Sequence, residues 1–327
     1  MQGISIIICC YNSSARLPQT IRHLAGQECR EDINWEVIIV DNASKDNTSL
    51  VANEEWQKYK LTIPFKVVYE AIPGLSAARK KGKDLAKFDF LLYCDDDNWL
   101  DSNYVERAYN LMSSNVEIGV LGGQTYPVYE VTPPNWFIER GNFFALGKQS
   151  DKSGDLTNGK GWVWGAGSIF RKEIFEKIDS IGYKLLLTGR KGKSMTSGED
   201  IELCYIVKIM GYKIWYDEGL FCAHYMPKGR YSIKKFHKLC KANGNNVPIF
   251  RLYNSSGKIK RIDLLRQIKQ KSLRIFRMRN FFSKHEVTNS SIEYYALIGE
   301  VYGILELLFS YNKLFLKLEE LRSKYRK

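Results

Sequence analysis

The apolar positions of this chain gather into short unbroken runs separated by stretches of helical spacing. ISIIICC (4–10), WEVIIV (35–40), FKVVY (65–69) and FDFLLYC (88–94) read as strands. Residues 16–28, 75–87 and 101–114 read as helices, and 117–122 as extended. Strands alternating with helices predict βαβ units, and near-continuous apolar strands fit a mostly parallel sheet covered on both faces. After about residue 125 the alternation weakens. VTPPNW (131–136) is a loop, and 147–161 is rich in Gly, Lys, Ser and Asp. WVWGAGSIFRKEIFEKI (162–178) is expected to run from an aromatic, glycine-rich strand into a helix. SGEDIELCYIVKIMG (197–211) reads as a capped helix opening on Glu199 and Asp200, and KIWYDEGLFCAHY (213–225) as extended segments.

The character changes after about 228. Residues 258–284 hold ten Lys/Arg and a single acid. Ile259, Ile262, Leu265, Ile268, Leu273, Ile275 and Phe276 give that segment an apolar helical face, and 291–327 is helical. Two regions are therefore expected, 1–228 and a basic, amphipathic helical 229–327.

Composition sharpens this picture. The 327 residues are 44% hydrophobic and 26% charged, which is globular. A net charge of +13 points to a polyanionic partner: nucleic acid, anionic lipid or a phosphorylated substrate. Seven cysteines, with Cys9 and Cys10 adjacent inside a strand, suit reduced buried thiols better than a disulfide scaffold. The start lacks a basic n-region, and no stretch of about eighteen apolar residues is present. The expectation is a cytoplasmic protein without a membrane span, peripheral on the inner membrane face if the basic segment binds lipid.

Four places carry candidate chemistry. In CDDDN, alternate side chains of an extended turn point the same way, so Asp95 and Asp97 converge while Asp96 points elsewhere. Two convergent carboxylates suit a divalent cation bridging a diphosphate. The same run also suits a solvated acidic turn before a helix. Asp41 ends its strand, where a carboxylate can accept the imide N–H of uracil; Asp46 or Ser44 beyond it suits a helix N-cap. In GLSAARKKG (74–82), small residues permit close approach of a nucleotide and Arg79 can meet its base, ribose or phosphate. Glu199 and Asp200 are favoured by the helix dipole at an N-terminus, and one of them suits a general base. His224 lies between an apolar strand and a loop, as a structural histidine or a metal ligand.

In order, SIIICCYNSS, EVIIVDNASKDNT, GLSAARKKG, LLYCDDDNWL, WGAGSIFRK and GEDIELCYIVKIMGYKIWYDE resemble glycosyltransferase family 2 over roughly residues 3–226. The resemblance implies the inverting GT-A fold: a Rossmann-like, mostly parallel central sheet flanked by helices, here with a C-terminal helical extension. It implies a bacterial enzyme that moves one sugar from a UDP-sugar to a glycan or lipid-linked hydroxyl in polysaccharide or glycolipid synthesis. Tyr11, Asn12, Asp41, Arg79, Asp95 and Asp96 would then hold the nucleotide. Asp95 and Asp97, with His224, would hold Mn2+ or Mg2+. Trp164, Gly165, Ala166 and Gly167 would line the sugar and acceptor pocket. Asp200 would be the base, supported by Glu199. Asn98 replaces the fourth acid of many members, which leaves open the division of labour among the three aspartates; Asp97 is the first choice for the metal.

The QxxRW motif of processive synthases is absent, which points to one sugar per encounter. Residues 258–284 suit an interfacial helix on anionic lipid, anchored by Phe281 and Phe282, or a helix packed on the catalytic domain with a solvated basic face. No nucleic-acid module accompanies the charge. Two other functions fit the sequence less well. A nucleotidyltransferase wants a Gly- and Lys-rich loop that CCYNSS does not supply. A degenerate membrane-bound scaffold sits poorly with intact Asp97 and Asp200.

Overall fold

The computed structural model describes residues 1–187, 198–255, 258–280 and 284–325. Its elements begin β1 (Ile4–Cys10), α1 (Leu17–Ala25), β2 (Trp35–Asp41), α2 (Thr48–Gln57), β3 (Phe65–Tyr69), α3 (Leu75–Leu85) and β4 (Phe90–Asp95). They continue with β5 (Asn98–Leu100), α4 (Tyr104–Ser114), β6 (Ile118–Tyr129), α5 (Asn135–Glu139), β7 (Gly154–Asp155) and β8 (Ile169–Arg171). α6 (Lys172–Ser180), α7 (Glu199–Ile209) and β9 (Lys213–Met226) follow, and three helices close the chain: α8 (Ile233–Asn254), α9 (Arg261–Met278) and α10 (Asn289–Tyr325).

The strands form one sheet in the order β3-β2-β1-β4-β8-β6-β9-β5, with β7 also on β9. β1 pairs in parallel with β2 and β4, β2 with β3, and β6 with β9. These are the long ladders; the antiparallel contacts of β5, β7 and β8 are short. The expected α/β class with a mostly parallel sheet is thus the observed one. Alternation along β1 divides the core. Ile4, Ile6, Ile8 and Cys10 pack with Leu17 and Ile21 of α1, whereas Ile7 packs with Ala78 of α3 on the other face.

The register matters most for the site. Cys10 lies opposite Asp41 and Cys9 opposite Asp95. The carboxyl ends of β1, β2 and β4 therefore finish level, at the edge where open α/β sheets bind ligands.

Some local expectations change. The aromatic, glycine-rich run from Trp162 is not a strand until Ile169; left-handed Gly161 (φ +75) and Gly167 (φ +71) turn the chain there. Residues 98–100, not foreseen as extended, pair with β9 because that strand runs unbroken through Met226. The apolar face expected in the basic tail is in fact two faces. Leu264 is buried, and Ile259 and Ile268 pack into the core shared with α10. Ile262, Leu265, Leu273 and Phe276 point outward, 51%, 52%, 48% and 60% exposed. Phe281 and Phe282 lie outside the described residues.

α8 and α10 approach closely. A Cβ at Gly299 would stand 1.9 Å from the Lys241 carbonyl oxygen. All seven cysteines are free thiols. Among the described residues no helix is long and apolar enough to cross a membrane.

Candidate active site

Two loops at the level strand ends are tied together by side chains. Asn12 accepts the Lys45 N–H at 2.8 Å, its own N–H donates to Ser44 Oγ at 2.9 Å, and the Ser14 hydroxyl donates to Asp46 at 2.8 Å. Asn12 sits in the left-handed region (φ +49), which asparagine tolerates. Asp41 is buried and accepts from the Ser44 N–H at 3.1 Å and the Ser49 hydroxyl at 2.5 Å. The N-cap position of α2 is Asn47, without a side-chain bond, and the Thr48 N–H that opens the helix donates to Asp46 at 3.2 Å. Tyr11 is 53% exposed beside them. Next door, the Asn42 amide donates to the Ile72 carbonyl at 2.7 Å and accepts the Gly74 N–H at 2.7 Å, which fixes the start of α3.

Asp96 and Asp97 face different partners. Asp95 ends β4, and its charge acts on Arg79 and Cys222. Asp96 turns toward the loop that leads into α1, where Arg16 donates at 2.5 Å and the Ser13 hydroxyl also donates. Burial still raises the Asp96 pKa against these donors. Any nucleotide contact by Asp96 must compete with them. Asp97 is buried and takes a 2.6 Å bond from Arg230 on Oδ2, while His224 Nε2 stands 3.6 Å from Oδ1. β5 creates this pair, because Asn98 is registered opposite His224. Burial alone would raise the Asp97 carboxyl; His224 and Arg230 outweigh it and hold it well below the usual carboxylate range.

The pair fits a divalent cation. Carboxylate oxygen with imidazole nitrogen is a donor set such ions accept, and His224 turns its Nε2 toward Asp97 Oδ1. Among the described residues no three His, Cys, Asp or Glu side chains cluster closely enough to complete a shell. Such a cation would take its remaining ligands from phosphate and water, the usual habit of Mg2+.

Across the edge, α3 and α7 bring Arg79, Glu199 and Asp200 together. Arg79 is nearly buried, 3.7 Å from Glu199 and 5.2 Å over the Tyr93 ring. Burial opposes its charge, but Glu199 and Asp95 outweigh that and keep it protonated. Glu199 also accepts from Ser76 at 2.8 Å. Asp200 is half-buried and accepts the Gly165 N–H at 2.9 Å. A Cβ at Gly165 would fall 3.2 Å from the Asp200 carboxylate and 3.4 Å from Arg79. The Gly165–Ser168 turn is itself held. Tyr104 donates to the Gly167 carbonyl at 2.8 Å, and the Tyr93 N–H to Ser168 at 2.9 Å. Trp164 and Ala166 are half-buried on this turn.

Two surface hollows lie elsewhere. One of about 240 Å³ is lined by Arg22, His23 and Leu100, and one of about 400 Å³ by Tyr129, Ile138 and Phe143. The chemistry gathers instead at the open sheet edge. The sequence did not single out Arg230 or Arg16, and it marked Ser76 only as a small residue beside the nucleotide. No local pattern marks their contacts, since each matters through a partner far along the chain.

The sequence matches the profile of glycosyl transferase family 2 over residues 5–179, more than half the chain. The chain belongs to that family. Among its relatives, the putative glycosyltransferase EpsH of Bacillus subtilis is 30% identical over 36% of this chain and 32% of its own length. The poly(ribitol-phosphate) β-N-acetylglucosaminyltransferase TarP of Staphylococcus aureus is 23% identical over 54% of this chain and 51% of its own. This family 2 chain thus spans about a third to a half of the length of these two relatives. The crystal structure of S. aureus TarS 1–349 with UDP-GlcNAc aligns with a TM-score of 0.54 at 16% identity, covering 99% of this chain and 92% of that one. A mannosyltransferase of Pyrobaculum calidifontis with GDP-Man and Mn2+ aligns at 0.52 and 13% identity over 97% and 73%. At such identities the likeness speaks for the fold, which is GT-A.

Proposed function

We propose that this family 2 chain is an inverting glycosyltransferase that moves one sugar from a UDP-sugar to an acceptor hydroxyl. The observation that carries the proposal is Asp200, held by the Gly165 N–H beside Arg79, at the sheet edge that also carries Asp41 and the Asp97–His224 pair. Asp41 takes the base, with Tyr11 and Asn12 alongside. Arg79 and Arg230 supply positive charge where the diphosphate leaves. Asp97 and His224 would hold Mn2+ or Mg2+, with Asp95 toward the nucleotide; the ion's contribution would be charge on the leaving diphosphate.

Asp200 removes the proton from the acceptor hydroxyl. That oxygen attacks the anomeric carbon as the bond to UDP breaks, and the configuration inverts. Glu199, locked by Ser76 and Arg79, positions Arg79 and the start of α7. On this reading residues 1–228 carry donor and chemistry, and 229–327 adds the helical region. Relatives that act on poly(ribitol-phosphate) and a neighbour bound to UDP-GlcNAc support a surface-glycan role and a uridine donor.

The outward face of α9 supports docking on an anionic lipid surface. Ile262, Leu265, Lys269, Leu273 and Phe276 follow steps of three and four, and so share one face, with Arg266 and Arg277 beside it. That would bring the enzyme to a lipid-linked acceptor.

Asp200→Asn tests the chemistry. The variant should bind UDP-sugar as the wild type does, seen as an equal thermal shift, while transfer falls by roughly 10²–10⁴-fold. Full transfer by Asp200→Asn would remove Asp200 as the base. No thermal shift with any uridine nucleotide would remove the donor assignment.

A further inference from the structure

One cation in the segment that leads to Gly165 has no carboxylate partner among the described residues. Lys160 lies in the turn before Trp162. Its Nζ stands 3.9 Å from the Trp162 ring centre and 4.8 Å from that of Trp164. Among the described residues its one polar partner is Gln149 Oε1, at 3.2 Å. That partner is itself fixed. Gln149 is buried, its Oε1 also takes the Trp164 N–H at 2.8 Å, and its amide donates to the Gly123 carbonyl at 2.7 Å. Partly buried lysines usually find an acid. Here burial lowers the Lys160 pKa to about 8, and only the neighbouring Cys204 works against it.

The position is as telling as the isolation. Trp164 runs directly into Gly165, whose N–H holds the Asp200 carboxylate. The Asp200 and Lys160 charges both act on the Cys204 thiol, which lies one helical turn beyond Asp200 on α7. Lys160, the two indoles and Gly165 thus belong to one stretch of chain that meets α7, at Cys204 through the Val163 carbonyl and at Asp200 through the Gly165 N–H. Indole faces suit the C–H face of a sugar or polyol, and a cation already dehydrated among them gains strongly from an anion.

We propose that Lys160, flanked by Trp162 and Trp164, is an acceptor subsite for an anionic group, a phosphate or carboxylate borne by the molecule whose hydroxyl meets Asp200. The inference rests on the reading of Asp200 as the base and adds the acceptor's charge to it. Lys160 is a specificity residue here and takes no part in the displacement.

The test is binding to the full chain saturated with UDP, read by tryptophan fluorescence and calorimetry. The probes are sorbitol 6-phosphate, gluconate and neutral sorbitol. At least one anionic probe is expected to bind about tenfold or more tighter than sorbitol, a gap worth roughly 1.4 kcal/mol. Which anion binds tighter separates phosphate from carboxylate. Lys160→Met should abolish the preference, and Lys160→Arg should keep most of it; both should bind UDP as the wild type does. At about pH 8 wild-type binding should take up roughly half a proton, seen as buffer-dependent heat, because a bound anion raises the lysine pKa. Equal affinity for charged and neutral probes, no measurable binding of either anion, or a preference that survives in Lys160→Met each overturns the subsite. Transfer is not measured in this experiment, so failure of Asp200 as the base would appear separately, in the transfer rate of Asp200→Asn.

Discussion

Raising the pH from about 5 to about 8 perturbs one buried carboxyl more than its neighbours. Glu202 is fully buried on α7, one turn beyond Glu199. It accepts the Leu186 N–H at 2.6 Å and the Leu187 N–H at 2.7 Å, and it is bonded by Tyr253, which in turn meets Tyr183 at 2.7 Å. Burial dominates these donors and lifts its pKa from 4.5 to about 7. Between those values the folded chain keeps a proton that the unfolded chain has released. Stability from this group is therefore highest below about pH 4.5 and falls as pH rises, by about 3 kcal/mol in all by pH 7. His237, whose pKa is lowered by burial, pulls the other way below its ordinary 6.5. Asp97, held low, acts only in more acidic solution. The quantity to read is thus the difference between wild type and Glu202→Gln in urea unfolding across the window. The amide offers one acceptor oxygen where two N–H groups need partners, so the variant starts roughly 1–3 kcal/mol lower. Its deficit should shrink steadily as pH rises. A deficit that stays constant from about pH 5 to about pH 8 would refute a buried, proton-bearing Glu202.

Two further perturbations probe the site and the surface. Gly165→Ala puts a methyl 3.2 Å from the Asp200 carboxylate, without backbone strain, so Asp200 must shift by a few tenths of an ångström. Since a displacement near 1 Å costs about 10²-fold, kcat should fall roughly 3- to 10-fold while stability holds within about 1 kcal/mol; an unchanged kcat would show that Asp200 has slack. Leu265→Glu with Phe276→Glu changes two exposed side chains of α9 and should weaken binding to vesicles rich in anionic lipid by about tenfold or more, with melting unchanged. Equal binding to anionic and zwitterionic vesicles would dismiss the lipid surface, and a wild-type dimer dispersed by the double variant would assign the face to a second copy of the chain.

The legible part of this protein is what strand periodicity controls. Asp41 and Asp95 could be placed at one edge from sequence because each directly ends a buried run, and parallel registration then levels the ends. Glu199 and Asp200 were visible as acids opening an apolar helix. What long-range packing decides was hidden. Asp97 meets Arg230 across 133 positions, and Ser76 meets Glu199 across 123. The turn from 161 to 167 looked like a strand because its aromatic residues have strand propensity, yet left-handed glycines overrule them. In α9 the apolar residues were counted as one stripe. The helix has a partner on one side only, so α10 takes Leu264 and Ile268 and leaves Leu265 and Phe276 outside.

The first turn of α7 shows how one local preference is divided into separate tasks. Glu199, Asp200 and Glu202 all lie where the helix dipole favours negative charge. Sequence alone makes them near equivalents; surroundings separate them. Glu199 is buried against Arg79 and Ser76, so its charge is neutralised and its geometry fixed. Glu202 is buried with no cation bonded to it among the described residues, so it resists ionisation and works as a proton-bearing tie to α8. Asp200 alone is half-exposed, and among the described residues a single N–H holds its carboxylate, at 2.9 Å. A general base needs access, a fixed direction and an ionised carboxylate at once. Of the three acids, only Asp200 combines an open side with a fixed direction, which is why the proposed mechanism gives it the catalytic proton.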